Sequence, residues 1–140
     1  MVNIWIGLIA AFIATVILSI LMLMKQSIRL MPEMDLIGMM SEMMHVSRAM
    51  GWLVHFIVGT VMYGGFFAWV LVPLLSDVQY WLVGVVLGII GWLIAMVVMM
   101  PMGGKGFFGI KLGMMGPVMS FIMHVFFGAI LGWVYGLMIR

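Results

Sequence analysis

The chain has no cysteine, and charged residues make up only 7% of its 140 positions. The first absence excludes disulfides, thiolate metal sites and cysteine-ligated iron–sulfur clusters. The second excludes an ordinary soluble domain, which carries about 25% charged residues to meet water. With 67% of positions hydrophobic, the solvent for most of this surface must be lipid. Acidic groups are scarcer still: there are four in all, and none lies within a long apolar run. A small proton-coupled multidrug exporter needs a buried acid, so that class is excluded. No nucleophile stands beside a base and an orienting group, which argues against an enzyme. The net charge of +2 comes from few residues and carries no nucleic-acid signal.

What is present is apolar length. A bilayer core of about 30 Å takes roughly 20 helical residues, and four runs fit: Ile4–Met24, Met50–Leu75, Trp81–Met100 and Pro117–Ile139. Spanning segments must satisfy their own backbone hydrogen bonds, so runs this continuous are helices rather than barrel strands. The first run is long for a signal peptide and has no basic leader, and is read as a span. The expected fold is all-α and membrane-embedded, one four-helix domain over residues 1–140.

Between the first two spans, the segment from Pro32 to Arg48 reads as an amphipathic helix in the interface. Asp35, Gly38, Glu42, His45 and Arg48 recur at helical steps on one face, and Leu36, Met39, Met43, Val46 and Met50 on the other. Small residues line every span: Gly7, Ala10, Ala11, Ala14 and Ser19 in the first, Gly51 and Gly59 in the second, Gly84, Gly88, Gly91 and Ala95 in the third, Gly128, Gly132 and Gly136 in the fourth. Such stripes let helices approach closely. Lys25, Arg29, Arg48, Lys105 and Lys111 fall in the two long connections, against Arg140 alone on the other side. This bias predicts both long connections in the cytoplasm and both termini in the periplasm of a bacterial inner-membrane protein.

The chain also matches itself at an offset of 69 residues. Met31-Pro32 falls on Met100-Pro101, Met50 on Met119, His55 on His124 and Gly59 on Gly128. The expectation is two tandem two-helix hairpins, about residues 1–70 and 71–140, in the parallel-repeat arrangement.

His55 and His124 are the only histidines in the spans. An ionisable group inside a membrane is costly, so it defaults to a functional-site hypothesis. Each lies about seven residues inside the boundary, hence ~10 Å deep at a rise of 1.5 Å per residue. Such a pair can hold haem b through axial histidines, or a quinone headgroup, with Gly59 and Gly128 one turn away admitting a flat ring. The plainer reading has each neutral histidine hydrogen-bonded across the bundle and the glycines as packing surfaces. Two nitrogens are too few for a closed metal site.

Twenty methionines raise cuprous copper, since thioethers select it. Their spread through all spans fits adaptable apolar packing better. The run MGGKGFFG lacks the order of a phosphate loop and any preceding strand. It reads as an interfacial turn with Phe107 and Phe108 in lipid.

Three stretches, GWLVHFIVGTVMY, WLIAMVVMMPMGGKGFFG and PVMSFIMHVFFGAILGWVYG, resemble an uncharacterised family of short bacterial four-span membrane proteins. The resemblance covers the chain from about Gly51 onward, implies the four-span fold and lends no activity. Two functions follow as expectations. One is a non-catalytic accessory subunit stabilising a larger membrane complex, favoured by more small-residue faces than one bundle needs. The other is a haem b- or quinone-binding redox protein built on His55 and His124. Lipid and other membrane subunits, or a second copy of the chain, are the expected partners.

Overall fold

The computed structural model describes residues 2–30 and 34–140. Four of its helices are long and apolar enough to cross a membrane: α1 (Ile4–Ser27), α3 (Arg48–Leu74), α4 (Tyr80–Met102) and α5 (Met115–Met138). The chain is a multi-pass membrane protein. A short helix, α2 (Leu36–Met44), precedes α3, and a 3-10 turn (Phe107–Leu112) precedes α5.

Local chemistry sets these boundaries. The Asn3 side chain caps α1 by accepting from the Ile6 amide at 3.1 Å, and Ser47 does the same for α3 from Met50 at 3.2 Å. The expected continuous amphipathic helix from Pro32 to Arg48 is corrected here. Its helix ends at Met44 because His45 turns left-handed (φ 53°), and Ser47 then opens α3. Pro32, the expected start, and the Met31-Pro32 half of the self-match lie outside the described residues. The inner face of α2 packs on α3. Ile37, Met40 and Ser41 are buried, and the Ser41 hydroxyl and Ile37 carbonyl crowd the bare Cα of Gly51 in α3.

Three segments widen to π-helical turns: Val58–Tyr63 and Phe67–Leu71 in α3, and Ala95–Met99 in α4. Two of them lead directly into a proline, Pro73 and Pro101. A proline ring clashes with the carbonyl four residues back and gives no N–H to it. A wider turn upstream relieves the clash while keeping the backbone bonded inside the membrane.

The helices pair as hairpins, α1 with α3 and α4 with α5, and α1 also packs along α5. Gly7 and Gly64 bring α1 against α3, and Gly59 seats on Thr15. In the second hairpin the contact is backbone on backbone: Gly84 meets the Gly128 carbonyl, and Gly88 meets that of His124. Towards the short α3–α4 connection the bundle is closed by Phe67, Leu71, Val83, Leu131 and Tyr135. There the Tyr135 hydroxyl accepts from the Asn3 amide at 3.2 Å. The glycine-rich loop is held by Gly106 (φ 79°) and Gly113 (φ 76°), which flank the 3-10 turn in backbone conformations that suit glycine. Phe107 points outward at 60% exposure. Phe108, expected in lipid, instead packs edge-on against Trp92 at 5.7 Å, next to the small Ala95–Met96–Met100 cluster.

Candidate functional site: a cavity between the hairpins

Towards the long connections the hairpins separate and leave a half-open cavity of about 650 Å³ between them. All four spans contribute to its wall, and α2 lies at its mouth with Met39 and Met40 facing in. Its lining is almost wholly apolar; nine of the lining residues are methionine. Tyr63 and Phe127, ring centroids 5.4 Å apart and edge to face, separate it from the closed core. The volume is that of a small-molecule pocket, ordinarily about 300–1,000 Å³.

Both span histidines line this one cavity. They do not bond to each other; each has its own partner. His55 Nε2 lies 3.1 Å from the Ser19 hydroxyl of α1. That hydroxyl donates its proton to the Thr15 carbonyl at 2.7 Å, and Thr15 in turn donates to the Ala11 carbonyl at 2.8 Å. Ser19 therefore has only lone pairs left for His55, so Nε2 carries the ring proton and Nδ1 is bare. His124 has the opposite tautomer. Its Nδ1 stands 2.8 Å from the Ser120 carbonyl oxygen, with the Ser120 hydroxyl at 3.4 Å. A carbonyl can only accept, and two lone pairs at that distance would repel. Nδ1 is thus the donor, and Nε2 is bare.

At the 69-residue offset Ser19 falls on Gly88, and Thr15 on Gly84. Thr15 packs on Gly59 and Gly84 on Gly128, whereas Ser19 meets the ring of His55 and Gly88 meets the backbone carbonyl of His124. The His124 ring bonds within its own helix.

The two glycines expected beside a flat ring are placed differently from each other. Gly59 lines the cavity and also seats on Thr15. Gly128 does not line it: the side where a ring would approach is filled by the Gly84 carbonyl. Gly128 is a helix-packing glycine.

The mouth is held by Asp35. Its carboxylate accepts the Gly38 amide of its own helix (3.0 Å), the Gln26 amide of α1 (3.2 Å) and two Arg48 guanidinium N–H groups of α3 (2.5 and 3.0 Å). The hydrogen-bonded guanidinium holds the carboxyl below the ordinary aspartate range, helped by the Gly38 amide and opposed by partial burial. Lys25 donates to the Met34 carbonyl at 2.7 Å, fastening the same segment to α1. Asp35 and Arg48 were legible as one polar stripe. The reason they meet was not: they lie on two helices joined by a turn, not on one. Ser19 was legible only as one of the small residues of the first span, and Tyr63 carried no sequence signal.

Among the described residues, no group of three or more histidine, aspartate or glutamate side chains is placed to hold a metal ion. No curated protein and no solved structure matches this chain. A family model described as a family of unknown function, DUF6789, spans residues 1–140, and the chain belongs to that family.

Proposed function

We propose that this is a non-catalytic membrane protein that holds an apolar, membrane-soluble ligand in the cavity between its hairpins. His55 and His124 form the polar part of the site, and haem b or a quinone-type ring is the kind of group it holds. The observation that carries the reading is the placement of both histidines on the wall of one largely apolar chamber. Pockets for small molecules are mostly apolar with a few convergent polar groups. On this reading the long-connection end faces the cytoplasm of a bacterial inner membrane, supported by its basic residues.

The accessory-subunit alternative rests on an adaptable methionine surface and on an excess of small-residue faces. Those faces are used inside the bundle. Gly7, Gly59 and Gly64 serve the α1–α3 contact, Gly84, Gly88, Gly128 and Gly132 the α4–α5 contact, and Gly51 seats α2. Among the glycines of the four long helices, Gly65 alone has open space where a Cβ would go. A partner subunit therefore has no glycine stripe reserved for it.

The test is to purify the protein from its native membrane, take a visible spectrum, and extract and weigh the bound small molecules. The expected result is one haem, quinone or related apolar ring per chain, lost in a His55→Ala/His124→Ala double variant. Phospholipid in bulk-membrane proportions, with no Soret band and no ring compound, would overturn the reading.

A further inference from the structure

We propose that the cavity selects ligands whose polar centre receives a nitrogen lone pair, and discriminates against rings that present only carbonyl oxygens. Haem iron and the hydroxyl groups of a hydroquinone share this chemistry; an oxidised quinone lacks it. The proposal rests on the cavity being a ligand site and adds what that site can recognise.

The argument runs through the ring protons. Each neutral imidazole has one N–H and one lone pair. In both histidines the N–H is committed to the protein, to the Ser19 oxygen for His55 and to the Ser120 carbonyl for His124. What remains for a ligand is His55 Nδ1 and His124 Nε2, neither of which has a hydrogen-bond partner among the described residues. A histidine that binds a metal characteristically donates its other N–H to a carbonyl or similar acceptor, which fixes its tautomer. His124 is already arranged that way. Of the other donors around the chamber, the Thr15 hydroxyl is spent on Ala11, while Lys25 and Gln26, at the mouth, each give one N–H to Met34 and Asp35. The methionine sulfurs add further weak acceptors and no donors.

A quinone carbonyl brought against the bare nitrogens would set lone pair against lone pair. Its hydroquinone would donate to the same atoms, and haem iron would bond to them. Tyr63, on the floor beside Gly91, and Ser120, whose hydroxyl proton has no acceptor among the described residues once His124 Nδ1 is the donor, are the lining hydroxyls able to serve a carbonyl instead.

The experiment uses the full chain in lipid nanodiscs. Nitrogen-15 NMR of labelled histidine reads each tautomer directly; the expected pattern is Nε2–H for His55 and Nδ1–H for His124. Binding is then followed with three probes: a short-chain benzoquinone, its hydroquinone and ferric protoporphyrin. Quenching of Trp52, whose ring centroid is 5.7 Å from that of His55, reports the first two, and the Soret band the third. The hydroquinone should bind about tenfold more tightly than the quinone, the worth of one well-made hydrogen bond against an unmade one. Alternatively, protoporphyrin binds with a band lost in H55A and in H124A. Ser19→Ala frees His55 to change tautomer and should narrow the hydroquinone preference several-fold; Tyr63→Phe removes a donor that a quinone carbonyl can use and should widen it. The proposal fails if the tautomers are reversed, or if the quinone binds as well as the hydroquinone while protoporphyrin does not bind. Those results leave the cavity reading standing. Failure of all three probes to bind would sink that reading instead, and the proposal with it.

Discussion

Ser19 accepts the Nε2 proton of His55 across the α1–α3 contact at 3.1 Å, because its own hydroxyl proton is already committed to the Thr15 carbonyl. One serine thereby satisfies a buried imidazole and sets which of its nitrogens is left bare. Ser19→Ala should lower stability in detergent or nanodiscs by about 0.6 kcal/mol, the average for interhelical hydrogen bonds in membranes, and by no more than about 1.7 kcal/mol, the largest seen. Thermal unfolding of the variant beside the parent checks this. An unchanged midpoint would mean that the bond contributes nothing.

Gly128 and Gly65 make a matched pair. A Cβ at Gly128 meets the backbone of Gly84, which cannot swing aside as a side chain can, whereas a Cβ at Gly65 meets nothing. Gly128→Ala should separate α4 from α5 and cost about 1–3 kcal/mol, as overpacking does. Gly65→Ala should be neutral or stabilising by up to ~1 kcal/mol through helix propensity. Equal effects in the two variants, read by thermal melting and monodispersity, would contradict this packing.

Among the described residues, the Thr60 hydroxyl is the one buried side-chain polar atom without a hydrogen-bond partner. It lies in the first π-helical turn of α3. Thr60→Val keeps the shape and removes the unsatisfied group, so it should stabilise the protein by about 1 kcal/mol. A lower melting temperature would show that the hydroxyl is bonded in the membrane.

Asp35 predicts a pH response at the cavity mouth. Its carboxyl titrates below the ordinary aspartate value because of the Arg48 guanidinium hydrogen bonds. Folding then favours the ionised form. The stabilisation is complete above the unfolded value, about pH 3.9, and is lost as pH falls through the lower, folded value. Both side chains are partly exposed, at 49% and 35%, so the gain is at most about 1 kcal/mol. Hydrogen-exchange protection of the α2 amides should drop below about pH 4 in the parent protein. In Asp35→Asn it should be lower at neutral pH and flat across the same range. A parent profile as flat as the variant's would remove Asp35 as the latch.

Much of the architecture was legible along the chain. Ile4–Met24 and Pro117–Ile139 were readable as spans because a bilayer demands about 20 uninterrupted apolar residues, and α1 and α5 lie within a few residues of those bounds. The break between α2 and α3 was not legible. Apolar and polar residues keep helical spacing straight through His45, and only the left-handed backbone there separates the two helices. The glycine stripes were visible, but their use was not. A stripe looks the same whether it meets a foreign subunit or, as at Gly84 and Gly128, its own neighbour.

By itself, the sequence determined membrane residence, four helices long and apolar enough to cross, and one histidine in each of two of them. Lipid imposes length and hydropathy on each segment separately, so these properties are written locally. Only the tertiary structure decided what surrounds the histidines. It set Ser19 against the ring of one and the Ser120 carbonyl against the ring of the other, left a half-open chamber between the hairpins, and fastened α2 at its mouth through Asp35. Which nitrogen carries a proton depends on the nearest acceptor in space, and in each half of this chain a different atom takes that place.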